Sequence, residues 1–158
     1  MAKDAIGENM RAADVEKYVK NLENFGGIYK IEQLKYVKIC SLPVSLVIFT
    51  NNHWIGVYIT ENVIEIMDSS GFINKANMPV TLRTFLRIHA YNKRFFCTPR
   101  LQPSGSTVCG LFVVTYLIFK NTTNKSLCDF CQVFSSNFSL NYEILLKLFK
   151  AIKQKHKK

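Results

Sequence analysis

Apolar residues recur along this chain with two different periods, and the changes of period divide it into elements. Residues 12–23 place Val15, Val19 and Leu22 at helical spacing with Tyr18 beside them, the pattern of an amphipathic helix. Gly26-Gly27 follows and suits a helix end, where a left-handed residue is often needed. From residue 44 the period shortens. Val44–Thr50 is a short apolar run, and Trp54–Thr60 is rich in β-branched and aromatic residues. Val63–Met67 sets Val63, Glu65 and Met67 on one face and Ile64 and Ile66 on the other. Glu61-Asn62 makes a tight turn between the last two strands, and such short connections predict an antiparallel meander.

After Asp68-Ser69-Ser70-Gly71 the helical period returns. Pro79 opens a helix that runs to about Tyr91, in keeping with the preference of proline for a first turn. Phe95–Thr98 reads as another strand. The loop from Pro99 to Thr107 carries Pro103, Ser104, Gly105 and Ser106. Cys109 then begins a helix to Lys120 that is apolar nearly all round, as a helix inside a core must be. A short helix covers Leu127–Val133, and a last one from about Leu140 sets Leu145, Leu148, Phe149 and Ile152 on one face. This order predicts an α+β fold: a central, mostly antiparallel sheet packed by helices, in a single domain over residues 1–158.

Composition narrows the picture. Hydrophobic residues make up 48% of the 158 and charged residues 20%, which excludes a disordered chain, a collagen-like fibre and a coiled coil. The five cysteines are odd in number and lack the spacing of a disulfide framework. Lys3, Asp4 and Glu8 open the chain with no apolar stretch after them, so no signal peptide is read. Cys109–Phe119, the most apolar stretch, is too short to span a bilayer, which takes about 20 residues. These features point to a soluble intracellular protein with reduced thiols and no membrane partner. The formal charge of +10 favours an acidic partner.

Cys109 is the first candidate for chemistry. A polar loop delivers it to the start of a buried helix, where backbone N–H groups and the helix dipole favour a thiolate. Gly110 beside it gives room for a substrate backbone to approach. The same position also suits a buried structural cysteine. Among the three histidines, His53 starts a strand and can project into a cleft as a base; His89 lies within an amphipathic helix and His156 in a lysine-rich tail. Asp68 ends the strand after that of His53. A turn at residues 60–62 sets position 53 roughly opposite 68–69, within reach of a side-chain hydrogen bond. Asp68 equally suits a cap on the turn Ser69-Ser70-Gly71. Gln102, in the loop before Cys109, can join the Cys109 amide in binding an oxyanion, or can be a solvated loop residue.

The set His53-Trp54, Asp68, Gln102 and Cys109-Gly110-Leu111-Phe112 resembles the adenovirus-type maturation proteases (the adenain family) and the wider clan of SUMO- and ubiquitin-like-protein proteases. The resemblance covers residues 53–119. It implies the protease fold of that clan, with Cys109 as nucleophile at the N-terminus of a buried helix. His53 is then the base and later the acid, Asp68 orients it, and Gln102 with the Cys109 amide forms the oxyanion hole. Trp54 shields the Cys–His pair and, with Gly110, lines the path of a slim substrate cut after Gly-Gly or Gly-X. Adenoviral enzymes usually have Glu at the acid position; Asp68 is the SUMO-protease choice. The short, basic chain is similar to the stand-alone enzymes of adenoviruses, virophages and polinton-like elements. Such enzymes cut capsid or core precursors, which implies a monomer working in the virion and the host-cell interior. No cofactor is required, and DNA or a viral peptide serves as activator in the adenoviral branch. A SUMO-type isopeptidase and a non-catalytic basic DNA-binding protein are the alternative readings.

Lys147, Lys150, Lys153, Lys155, Lys157 and Lys158 crowd the last twelve residues with no acid among them. They read either as non-specific phosphate contacts to DNA or as a solvated helix end. Cys128-x-x-Cys131 lacks the partners of a zinc site and the βαβ context of a redox motif, so no metal site is expected.

Overall fold

The computed structural model describes residues 10–50, 53–71, 78–89, 91–103 and 107–156. In chain order it contains α1 (Ala12–Val19), β1 (Phe25–Lys30), a 3₁₀ helix (Ile31–Tyr36), β2 (Val44–Thr50), β3 (His53–Ile59) and β4 (Val63–Met67). Then follow α2 (Val80–His89), β5 (Arg94–Cys97), α3 (Cys109–Thr123), α4 (Leu127–Cys131) and α5 (Phe138–His156). The fold is α+β. One five-stranded sheet has the order β1-β2-β3-β4-β5. Its centre is the antiparallel meander β2-β3-β4, and each edge strand is added in parallel.

The apolar alternation along the central strands feeds two cores. Val47, Trp54, Tyr58 and Met67 face α3. Leu46, Ile48, Ile55, Val57, Ile59, Ile64 and Ile66 face the other way, onto Leu34 of the 3₁₀ helix and Leu82, Phe85 and Leu86 of α2. Strands with both faces covered are apolar on both, as these are. The helix α3 lies between the sheet and the pair α1 and α5, so every residue from Cys109 to Lys120 is buried. Gly56 lets it come close: a Cβ there would stand 3.1 Å from Val113 Cγ1. On the far side Tyr18 of α1 meets Phe149 of α5 edge to face, centroids 5.2 Å apart.

Two sequence expectations change. The first helix stops at Val19, and Gly26-Gly27 lies inside β1 rather than at a helix end. A Cβ on Gly26 would sit 2.6 Å from Val44 Cγ2, so the missing side chain lets β1 approach β2. Gly27 has φ 124°, at the point where the β1–β2 register slips; only glycine adopts such a backbone without strain. The last helix begins at Phe138, two residues early, because Asn137 accepts the Ser139 N–H at 3.2 Å and so caps it. Among the described residues no helix is long and apolar enough to cross a membrane.

Candidate active site

Four element boundaries meet at one end of the sheet. His53 is the first residue of β3, Asp68 directly follows β4, Cys109 opens α3, and Gln102 lies between β5 and α3. His53 Nε2 is 2.5 Å from Asp68 Oδ1. Asp68 is fully buried, while the His53 side chain keeps 19% of its surface exposed. The imidazole and the Cys109 thiol shift each other's proton affinity, and Nε2 faces Asp68. The backbone N–H of Trp54 also donates to Cys109 Sγ, at 3.4 Å.

The electrostatics of this pair run against burial. Desolvation alone would hold His53 neutral. The hydrogen bonds to Asp68 and Cys109, with the charges of both, outweigh it and raise the imidazole from 6.5 to about 9. Desolvation likewise pushes the Cys109 thiol up. The hydrogen bond from His53, the Trp54 amide, the imidazolium charge and the Gly110 amide pull it below the ordinary thiol value. Both shifts run towards a thiolate beside an imidazolium, the form a cysteine nucleophile requires. Cys97 and Cys131 show the contrast: burial pushes both thiols up to about 12.

The turn after β4 supports this arrangement in ways the sequence did not announce. Asp68 Oδ1 accepts from Ser70 Oγ at 2.8 Å and from the Ser70 amide at 3.3 Å. The carboxylate therefore caps its turn and holds His53 at once, so both readings of Asp68 apply. Thr98 Oγ1 accepts the Asp68 amide at 2.8 Å and donates to its carbonyl at 2.6 Å. Ser69 Oγ donates to Gln102 Oε1 at 2.5 Å, and both residues are buried. A serine pair after an aspartate looks like ordinary turn sequence, so only the fold reveals what these side chains hold.

Trp54 and Gly110 sit beside the thiol and against the chain's own Met10. The Trp54 indole is buried, packed against Phe49 at a 45° tilt with centroids 4.6 Å apart, and its Nε1 donates to the Met10 carbonyl at 3.0 Å. A Cβ on Gly110 would stand 3.0 Å from Met10 Cβ and 3.1 Å from Trp54 Cδ1. The room at Gly110 is thus filled by the protein's own Met10 and Trp54 rather than open to a substrate backbone.

The lysines are not part of this cluster. Lys147, Lys150, Lys153 and Lys155 lie on α5, which stays helical to His156; Lys157 and Lys158 lie outside the described residues, as do Ser104, Gly105 and Ser106. Lys153 is half-buried with its Nζ over the rings of Tyr18, at 5.2 Å, and Phe149, at 5.5 Å. Among the described residues no three His, Cys, Asp or Glu side chains gather as a metal site.

No protein-family model matches the chain, and no curated protein does. Solved structures similar to it include the following two. The central domain of the uncharacterized Lpg1148 protein from Legionella pneumophila is 12% identical, with 96% of this chain and 99% of that one covered and a TM-score of 0.54. At that identity the likeness concerns the fold alone. The ASFV pS273R protease is 18% identical over 69% of this chain, with a TM-score of 0.47, and this chain spans 44% of its length.

Proposed function

We propose that this chain is a cysteine endopeptidase that cuts viral capsid or core precursors after Gly-Gly or Gly-X during particle maturation. The observation that carries the chemistry is the thiol of Cys109 at the start of buried α3, lowered by His53, whose Nε2 is held by the buried Asp68. The thiolate attacks the scissile carbonyl. The Cys109 amide and the Gln102 carboxamide receive the oxyanion. The imidazolium gives its proton to the leaving amine, and the thioester remains on Cys109. The neutral imidazole then takes a proton from water, which hydrolyses the thioester and restores the pair. The order His53-Trp54, Asp68, Gln102, Cys109-Gly110 supports the adenain-like reading of substrate and setting, in the virion and the host-cell interior. In that reading the enzyme is a monomer, and DNA or a viral peptide activates it. The lysines Lys147, Lys150, Lys153, Lys155, Lys157 and Lys158 make non-specific phosphate contacts.

The test is release of aminocoumarin from a peptide ending in Gly-Gly. Cys109→Ala is expected to lower turnover by about 10³-fold or more and to leave the melting temperature nearly unchanged. An Ala variant that keeps more than a few per cent of wild-type turnover overturns the assignment.

A further inference from the structure

We propose that Ser69 is a positioning residue for the oxyanion hole, acting through Gln102; this rests on the protease reading above. A carboxamide has a donor end and an acceptor end, and only the donor end can stabilise an oxyanion. Something must therefore fix which way round the Gln102 amide lies. The Ser69 hydroxyl meets it at 2.5 Å. That separation belongs to an O–H···O bond and is too short for an N–H···O bond, which runs from about 2.7 Å. The carboxamide oxygen faces Ser69, and the nitrogen is turned away from it.

Ser69 also holds the backbone of the same segment. Its carbonyl accepts the amide of Leu101 at 2.7 Å and that of Gln102 at 3.2 Å. From outside, Asn141 of α5 donates to the Leu101 carbonyl at 2.8 Å, and Arg100 Nε donates to the Gln102 carbonyl at 2.9 Å. The main chain of Gln102 is thus fixed by several groups, whereas the Ser69 hydroxyl fixes the sense of its side chain. Ser69 directly follows Asp68, so one turn sets both the acid that orients His53 and the amide that receives the oxyanion.

Ser69→Ala removes only the hydroxyl and keeps the backbone carbonyl. Measured on the Gly-Gly aminocoumarin peptide, it is expected to lower kcat by about tenfold, less than the ~10²–10³ for losing an oxyanion donor outright. KM should stay within about twofold. Two further readouts separate this from general damage. Alkylation of Cys109 by iodoacetamide forms no oxyanion, so its rate and pH profile should not change. In a Gln102→Ala background, Ser69→Ala should cost nothing more, because the residue it acts through is gone. Should the Ala variant fail to fold, Ser69→Thr and Ser69→Val make the same comparison at constant shape, with Thr expected to be the faster. Equal turnover of Ser69→Ala and wild type, equal turnover of Thr and Val, or additive losses in the double variant overturn the inference and leave the protease reading standing. A wild-type protein that is alkylated at Cys109 yet never cleaves the peptide overturns both.

Discussion

Two buried polar clusters tie the sheet to α3, and they are built for opposite ends. Towards the C-terminal half of α3, Glu65 of β4 accepts from Tyr116 Oη at 2.7 Å, from Lys120 Nζ at 2.9 Å and from the Leu127 amide at 2.7 Å. Lys120 also donates to the Lys125 carbonyl at 2.8 Å, and its Nζ lies 4.8 Å from the Tyr58 ring centre. Burial and then the Glu65 charge hold the Tyr116 hydroxyl well above its ordinary value, so it stays a donor. At the N-terminus of α3, Asp68, His53 and Cys109 form the other cluster. Its cation is an imidazole raised to about 9, and its far member is a thiol lowered from its ordinary value. A carboxylate answered by donors from several elements clamps a helix in place. A carboxylate that holds its own turn and a histidine partly open to solvent passes its influence on to a thiol.

Breaking the clamp should give the largest effect on stability. Glu65→Ala leaves Lys120 buried beside Tyr116 with its carboxylate gone. Removing one partner of a buried pair costs about 3–5 kcal/mol, which for a chain of this size is a fall in Tm of about 10 °C. Thermal unfolding followed by circular dichroism checks it, and a fall under about 3 °C would show that the clamp carries little. The variant that still folds should alkylate at Cys109 with the wild-type pH profile, because the two clusters share no side chain.

Breaking the reactive cluster should move activity rather than stability. Asp68→Asn keeps an acceptor for Ser70 but removes the charge behind His53. Cleavage of the Gly-Gly peptide is expected to fall by about 10²-fold, within the range for losing general acid–base function. His53 should drop from about 9 towards its ordinary 6.5, which NMR titration of the imidazole would follow. An unchanged imidazole titration in this variant would contradict the role given to Asp68.

The smallest effect is in stability against pH. The raised His53 contributes stability that is complete below pH 6.5 and fades as pH rises through about 9. The lowered Cys109 contributes in the other direction, fully above its ordinary 9.0 and fading as pH falls. Between pH 6.5 and 9 the two contributions have opposite slopes, so they offset each other wherever Cys109 is ionised and His53 still charged. Urea unfolding of the wild type should show a smaller slope across that window than His53 alone would give. Cys109→Ala removes one side of the balance, and the slope left by His53 should appear as a loss of stability with rising pH. A wild type and Ala variant with parallel pH profiles would show that the thiol and imidazole do not share a proton.

The two clusters were unequally legible in the sequence. Val44–Thr50, a short apolar run, and Val63–Met67, an alternating one after a turn, are strands residue for residue. The start of α3 at Cys109 was legible as well, from the switch out of a polar loop. The His53–Asp68 contact was expected from a turn at 60–62, but the pairing Gly56↔Met67 extends to set position 53 opposite 70. The bond forms across the diagonal, which a histidine can span. Strand β1 was missed because its two glycines look like punctuation, and its pairing with β2 is a long-range parallel contact that no local pattern reports. Glu65 stood out as a polar residue in an apolar strand, yet its partners lie 51 and more residues away. Ser69 was hidden by resembling the turn it belongs to.

The central claim is that Cys109 rests as a thiolate because His53 holds the proton. Alkylation by limiting iodoacetamide between pH 5 and 10, with each cysteine followed by mass spectrometry, tests this most directly. The account predicts that Cys109 reacts at lower pH than an ordinary thiol, that His53→Ala shifts its profile upward, and that Cys97 and Cys131 stay unreactive until far above pH 9. A Cys109 that reacts only as pH climbs past 8, with the same profile in the presence and absence of His53, would contradict it.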